Sequence, residues 1–566
     1  MLNYTPLHKL KDCSLVRFRG MIQDMQDPEI YLEKYEVRNT ENASSVRIQE
    51  GKYRDILKLN LGEEVDYEAG NHQHGERRTL FVISIPAVND WCMEYEKSCN
   101  QSNIPEIIPI EGHARDTMKR SASNEGADAV LNTNTDINKR QKAGDRVEQT
   151  VCSTLNAEYL LNSPVPGRPS KACMIKIYKD FDAFTLNSIV DVVGFLSIDP
   201  RLDATAMEVD FENESELQAQ YPPPSLIPRL HAIKIHKLSH ANPLLDTRFL
   251  SSKTTMPREF SNFNIDSIQK DLHTLLKLCL FNDELAADYV LSHLISTVYS
   301  RCDLQTIGKL SINIWNLPKQ VPKDYVKQFY EILELIIPAS HYLPMSLEVM
   351  NEINFVPRKD YDTNKLVSGL LQLAPHTHLV LDETKMQEGK LESNGIKGVQ
   401  SIADLINNQQ IKYNFLYYEI EYNVDIPVLV FSEGRSMLPN DISLPLEADN
   451  ESVKMIDEVM KAARHYLHQH SRLDQFRRYL TLSKLSEFAM NPADTGMIQD
   501  DFVMMRKMNS VTTADDLHVL LVVSRLLAIA RDKKVLDGES WEMAKTMEEQ
   551  RKHRITKLPK SKVCLR

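Results

Sequence analysis

The chain has 566 residues, which at the usual size allows about three or four domains. Its 42% hydrophobic and 26% charged residues form a globular balance able to bury a core. The formal net charge of −12 and pI near 5.8 exclude general coating of nucleic acid as its main role, because such binding runs on phosphate neutralisation by Lys and Arg. Only 18 glycines leave few places for a Gly-rich phosphate loop. Residues 1–10 lack the apolar core of a secretory leader, and no apolar run approaches the length of a membrane span. Eight cysteines, at positions 13, 92, 99, 152, 173, 279, 302 and 564, never form Cys-x-x-Cys. They read as reduced thiols of the cytosol or nucleus, and Cys564 lies one place too late for prenylation.

In chain order, period-two alternation through Val16, Phe18 and Gly20 predicts a half-buried strand. Gln26-Asp27-Pro28 supply a turn and residues 30–37 a returning strand. Residues 79–85 form another strand, stopped by Pro86. Residues 99–168 are rich in Asn, Ser, Asp, Gly and Thr, with no aromatic residue between Tyr95 and Tyr159. This composition predicts a disordered insert. Its clusters Lys119-Arg120 and Lys139-Arg140-Gln141-Lys142 read either as a nuclear import signal or as solvated charge in a linker. Strands return at 172–178, 186–198 and 229–238, with Gly194 marking a bulge. Residues 1–98 and 169–245 are therefore expected to form one OB-like β-barrel split by the insert, or else two β modules.

From residue 246 to 450, helices at 266–280, 283–299, 323–336 and 364–373 alternate with strands at 309–315, 378–381 and 428–431. This pattern predicts an α/β core with a largely parallel sheet. Residues 451–566 read as helical. The expected fold class is multidomain α+β.

The stretch LVSGLLQLAPHTHLVLDETKM (366–386) ends an apolar strand in Asp382-Glu383. That is the form of a Walker B motif, whose Asp holds Mg²⁺ and whose Glu polarises the attacking water. Plain solvation or helix capping produces the same pair. Residues 367–374 and 379–383, followed by Lys385-Met386, resemble the replicative MCM helicases. TADDLHVLLVVSRLLA (513–528) resembles the last MCM helix. Over nearly the whole chain outside the insert, the sequence is similar to the MCM-binding protein family. The stretches that carry this are VRFRGMIQDMQDPE (16–29), GKYRD (51–55), NPLLDTRF (242–249), LSHLISTVYSR (291–301), RKDYDTNKLVSGLLQL (358–373), LVLDET (379–384), SEGRSMLP (432–439) and VTTADDLHVLLVVSR (511–525). Members of that family usually carry a further N-terminal segment ahead of the first β unit.

The resemblance implies a nuclear protein that associates with MCM helicase subunits in place of one ring member. It also implies roles in helicase assembly or removal from chromatin, and so in replication, cell division and sister-chromatid cohesion. An OB-like barrel followed by a degenerate AAA+/MCM-like core and a C-terminal helical lid is the implied architecture.

The residues themselves speak against nucleotide chemistry. After the first core strand, residues 316–323 read NLPKQVPK, with no glycine and two prolines. Prolines remove N–H donors and bulky side chains block backbone approach to phosphate. Gly308-Lys309 precedes the strand, with Leu310 where Ser or Thr is needed and Asp303 where the first glycine belongs. The sensor position after 428–431 reads Ser432-Glu433-Gly434-Arg435. The position of the MCM sensor Arg is Asp515, whose charge repels a triphosphate. The expectation is a pseudo-ATPase without catalytic residues, cofactor or metal. Asp382 and Glu383 are then a Walker B remnant that caps the helix that follows or satisfies local backbone donors, and Asp515 is a lost sensor.

Other groupings are weaker. His72 and His74 lie in a polar loop, and His465, His468 and His470 on a helix, without a completing ligand nearby. Arg17, Arg19, Lys52 and Arg54 could line a barrel groove, with Phe18 and Tyr53 as stacking platforms, although period two equally predicts a plain core face. The alternatives are an active AAA+ ATPase with a degenerate phosphate loop, and a single-strand-binding OB protein. Direct nucleic-acid binding is not expected, nor is a membrane.

Overall fold

The computed structural model describes residues 1–39, 46–67, 70–101, 155–204, 214–245, 264–302, 305–469, 472–489, 492–508 and 513–558. The first half is strand-rich. β1 (Leu15–Asn39) pairs antiparallel with β2 (Val46–Glu50), β3 (Glu63–Val65) and β4 (Gln73–Ile83). After α1 (Asp90–Gln101) and α2 (Ala157–Leu161), β5 (Ala172–Ile177) joins β4. β6 (Ile189–Ser197), α3 (Glu214–Gln220) and β7 (Arg229–Leu238) complete a sheet of order β2-β1-β4-β5-β7-β6, with β5 and β7 parallel. β6 also pairs with β1, Leu15 opposite Phe195 through Met21 opposite Ile189. Five strands thus close on themselves, which removes their free edges. Phe18, Ile22, Val82, Ile175, Val190 and Leu230 fill the interior.

The turn expected at 26–28 is replaced by continuous strand. β1 runs through it, paired to β4 from Met21 to Lys34, and takes Pro28 at a register shift after Met25. A bulge is where a strand tolerates proline, and bulges bend a strand around a closed sheet. At the Gly194 bulge, a Cβ would lie 2.1 Å from the His231 carbonyl oxygen, so only glycine permits this approach of β6 and β7.

The second half begins with α4 (Ile265–Cys279), α5 (Glu284–Ile295) and the hairpin β8 (Ser300–Cys302)–β9 (Gln305–Ile307). Then come β10 (Ile312–Trp315), α6 (Tyr325–Ile336), β11 (Ser340–Pro344) and α7 (Leu347–Glu352). β12 (Arg358–Asp360), β13 (Lys365–Val367), β14 (His378–Asp382), α8 (Ser393–Asn408), β15 (Gln410–Asn414) and β16 (Glu419–Asn423) follow. β17 (Val428–Phe431) and β18 (Ile442–Pro445) end the strands. β11-β14-β17-β10-β18 form one parallel sheet, and β13-β12-β15-β16 a smaller one. The parallel strands are apolar on both faces, as crossover connections require. Val380, Leu429 and Phe431 join the helical core, while Leu379, Leu381, Val428 and Val430 face Ile402 and Leu405 of α8.

Residues 364–373 form β13 and turns instead of the expected helix. The Leu370 and Leu371 amides donate to the carbonyls of Asn354 and Phe355, and a Cβ on Gly369 would lie 2.4 Å from the Val356 carbonyl carbon. Close pairing with a preceding segment overrides an apolar run of helix-like composition. The strand expected from 309 begins at Ile312.

The C-terminal helices are α9 (Asn450–Lys454), α10 (Ile456–Gln469), α11 (Arg472–Lys484), α12 (Pro492–Met508), α13 (Ala514–Ala530) and α14 (Gly538–Lys557). Thr513 and Asp516 form a reciprocal capping box at the start of α13. Beyond Leu520 this helix is buried on every side except partly at Leu521, between α5 and α14, rather than along one stripe. A helix apolar all round is an interior helix.

The end of the expected disordered insert is ordered, and the two basic clusters lie outside the described residues. Asn162, at φ +55°, is its anchor. Its Nδ2 donates to Gln23 Oε1 (3.1 Å) and to the Leu366 carbonyl (2.8 Å). Its Oδ1 accepts from the Ser368 amide (2.8 Å), and its own carbonyl accepts from Gln23 Nε2 (2.6 Å). Asn162→Ala should therefore cost about 2–4 kcal/mol, because buried amides lose their partners. A shift of the urea midpoint at constant m-value is the check.

Candidate functional site

In open parallel sheets, ligands sit outside the carboxyl ends of the strands, where neighbouring connections diverge. Here that edge carries Asn316 after β10, Asp382-Glu383 after β14 and Ser432 after β17. Each is engaged internally. Asp382 is fully buried, and its Oδ1 accepts from the Thr384 amide (3.0 Å) and hydroxyl (2.6 Å). Its Oδ2 accepts from the Tyr342 hydroxyl of β11 (2.6 Å). It thereby caps a 3₁₀ turn at Glu383–Lys385. Glu383 Oε1 accepts from the Ser436 hydroxyl (2.6 Å). Burial pushes the Glu383 carboxyl above its ordinary range, against the pull of Ser436 and the Leu438 and Met437 amides. Ser432 Oγ donates to Asn313 Oδ1 of β10 (2.9 Å).

The segment after β10 turns at Asn316, φ +64°, whose Nδ2 donates to the Leu446 carbonyl (3.0 Å). It enters α6 through Asp324, which makes no side-chain cap. Lys385 Nζ, from the turn after β14, donates to the Lys323 carbonyl (2.8 Å) and to Asp324 Oδ1 (3.0 Å). A helix start that could face an anion instead faces this chain's own carboxylate and its lysine partner. Lys309 pairs with Asp441 beside Ser311, away from this edge. Asp515 is exposed on the first turn of α13, which packs on α5 and α14. Its neighbour Asp516 pairs with Lys552 of α14. The structure brings Asp382 and Glu383 together and places Asp515 on a different layer.

The barrel residues are also engaged. Phe18 is core, Arg17 and Arg19 pair with Asp191, and Arg19 also pairs with Glu96. Lys52 pairs with Glu33, the Arg54 carbonyl accepts from Arg77, and Tyr53 packs edge-on to Tyr178 at 5.0 Å. His74 is the second residue of β4 and His72 stacks with Tyr67, while His465 and His468 lie on α10; His470 falls outside the described residues.

Sequence reasoning missed a buried cluster of histidines around Lys484 at the opposite end of β14. His378 Nε2 lies 2.9 Å from Lys484 Nζ of α11, and its ring meets His293 of α5 at 5.4 Å. His376 lies 3.2 Å from Asp425, which also accepts from the Thr297 hydroxyl. His240, from the segment after β7, lines a small cavity together with His376, His378 and Lys484. Burial pushes His293 and His240 down to about 4 and Lys484 down to about 8. These residues converge from segments far apart in sequence, so no local spacing announces them.

Two expectations follow from these shifts. For His240, the unfolded chain binds protons below its ordinary value of 6.5, while the folded chain resists until about 4. Stability should fall as pH is lowered across that window, and His240→Leu should flatten the fall in melting temperature. For Glu383 the sign is opposite. Its raised folded value means that stability is lost as pH rises from the ordinary 4.5 through that value. Glu383→Gln should exceed the parent in urea midpoint at about pH 7 and match it at about pH 4.

The family model for the mini-chromosome maintenance replisome factor matches residues 1–555. A Drosophila melanogaster protein named mini-chromosome maintenance complex-binding protein is 55% identical over 576 residues, spanning 100% of this chain and 94% of its own. A Homo sapiens protein of that name is 36% identical over 591 residues (98% and 90%), and one from Danio rerio 34% over 574 (97% and 89%).

Proposed function

Because this chain belongs to the mini-chromosome maintenance replisome factor family, we propose that it is a non-catalytic binding partner of MCM helicase subunits. In this reading it acts in the nucleus, in assembly or removal of the helicase on chromatin, and so in DNA replication and sister-chromatid cohesion. Its association with chromatin is indirect, through the helicase. The mechanism is mimicry: an OB-like barrel and a degenerate AAA+/MCM-like core present subunit-like surfaces without a nucleotide site. The closed ring of five strands supports the first part of that likeness. The parallel order β11-β14-β17-β10-β18, with Asp382-Glu383 at the tip of β14, supports the second.

The observation that carries the non-catalytic reading is the junction between β10 and α6. It lacks glycine, holds Pro318 and Pro322, and has Lys385 bonded to Lys323 and Asp324 at the helix start. A triphosphate there would have to displace this ion pair and would still lack a ring of backbone donors.

Calorimetric titration with Mg-ATP should give no binding and steady-state assays no turnover. Purified MCM subunits should co-elute with the chain in size-exclusion chromatography. Hydrolysis that persists through purification and disappears in Asp382→Asn would establish an active ATPase instead. Tight single-strand binding that weakens steeply with salt would favour a nucleic-acid-binding role.

A further inference from the structure

The barrel ring and the parallel sheet have closed or covered edges, whereas β2, which pairs with β1 alone, and β16 end their sheets. The barrel ring closes on itself. At β11, the Ser340 amide donates to the Ala87 carbonyl and the Asn89 amide to the Pro338 carbonyl. At β18, Arg551 Nη1 donates to the Ser443 carbonyl (3.0 Å). β16, like β2, lies at an edge: it pairs with β15 and ends the smaller sheet. Glu419, Ile420, Glu421 and Asn423 are all exposed.

The register fixes which groups are free. Tyr413 faces Ile420, Val424 donates its amide to the Gln409 carbonyl, and Phe415 donates its amide to the Tyr418 carbonyl. Antiparallel pairs alternate, so the main chain of Ile420 and Tyr422 points at β15. The N–H and C=O groups of Glu419, Glu421 and Asn423 then point outward.

The hairpin tip has a conformation that folding does not require. Leu416 adopts φ +66°, a region that glycine or asparagine occupies at lower cost. Its amide donates to Asn414 Oδ1 (2.7 Å). Leu416 is 70% exposed and Tyr417 83% exposed, where polar turn residues would satisfy the fold equally. The tip is also held in shape. Phe415 and Tyr418 stack at 5.1 Å, and the Tyr361 hydroxyl donates to the Phe415 carbonyl (2.8 Å). An exposed apolar tip beside an open strand edge, held rigid beforehand, is the form of a strand-addition site.

We propose that β16 receives an extended strand from a protein partner. That strand pairs with the outward main chain of Glu419, Glu421 and Asn423. It carries Lys or Arg on alternate residues to meet the two glutamates, and an apolar side chain to cover Leu416 and Tyr417. Charge selects this occupant. Glu419 and Glu421 repel a phosphate backbone, and Lys412, the cation opposite Glu421, is already paired with Asp404 at 2.9 Å. The inference rests on the reading of the chain as a partner of MCM subunits, and assigns to one of them the strand that docks here.

The test uses the full chain and purified MCM subunits. Glu421→Pro removes an outward donor and leaves the ladder to β15 intact, since the Glu421 N–H does not face it. Its affinity should drop about tenfold, the worth of one or two edge hydrogen bonds, with unchanged melting temperature. Glu419→Lys with Glu421→Lys should weaken binding most at low salt. Hydrogen exchange at residues 419–423 of the parent should slow in the complex, a readout independent of whether any variant folds. A complex in which these amides exchange as in the free chain, with Glu421→Pro binding like the parent, overturns strand addition and leaves the partner reading standing. No complex with the parent chain overturns both.

Discussion

Three buried amide side chains hold the two halves of this protein together. Gln23 comes from the barrel, Asn162 from the segment that leads into β5, and Gln372 from the turn before β14. Gln372 Nε2 donates to the Gln23 carbonyl (3.1 Å), and Gln23 and Asn162 exchange bonds with each other. Asn162 then ties on to Leu366 and Ser368. A buried amide without partners costs about 1–3 kcal/mol, so none of these groups is satisfied until all the segments have met. That constraint sets the barrel against the smaller sheet, and through β13 against the parallel sheet behind it.

The same logic applies at the carboxyl edge of the parallel sheet. A working site keeps donors and carboxylates unspent for its ligand. Here Asp382 is spent on Thr384 and Tyr342, Glu383 on Ser436, and Lys385 on the entry to α6. These bonds stabilise the turn after β14. Burial raises the Glu383 carboxyl, which in a catalytic site would suggest proton transfer. The Ser436 hydroxyl gives it a structural partner instead.

Surface features complete the contrast between folding and assembly. Ion pairs occupy the cations that composition alone could have assigned to nucleic acid, among them Arg17, Arg19 and Lys52. Apolar side chains are left outside at the β15–β16 hairpin, where Leu416 accepts a left-handed backbone to present itself. The closed barrel ring and the covered parallel sheet contrast with the acidic, open edge at β16.

Much was legible in the residues. Period two marked the start of β1, strand-like apolar runs marked β6 and β7, and the Thr513–Asp516 pair marked the start of α13. These are local properties: side-chain periodicity, apolar runs and a cap that spans four residues. Long-range pairing decided the rest. Whether β1 turned back at Pro28 or ran on around a barrel depended on β4 lying beside it. Whether 364–373 coiled or stayed extended depended on Asn354 and Phe355 offering carbonyls. The His378–Lys484 contact and the Asn162 anchor join residues 106 and up to 206 positions apart. The sequence alone determined which segments could be strands, helices or caps. Only the tertiary structure decided which buried polar groups would find partners, because that requires every partner to be present at once.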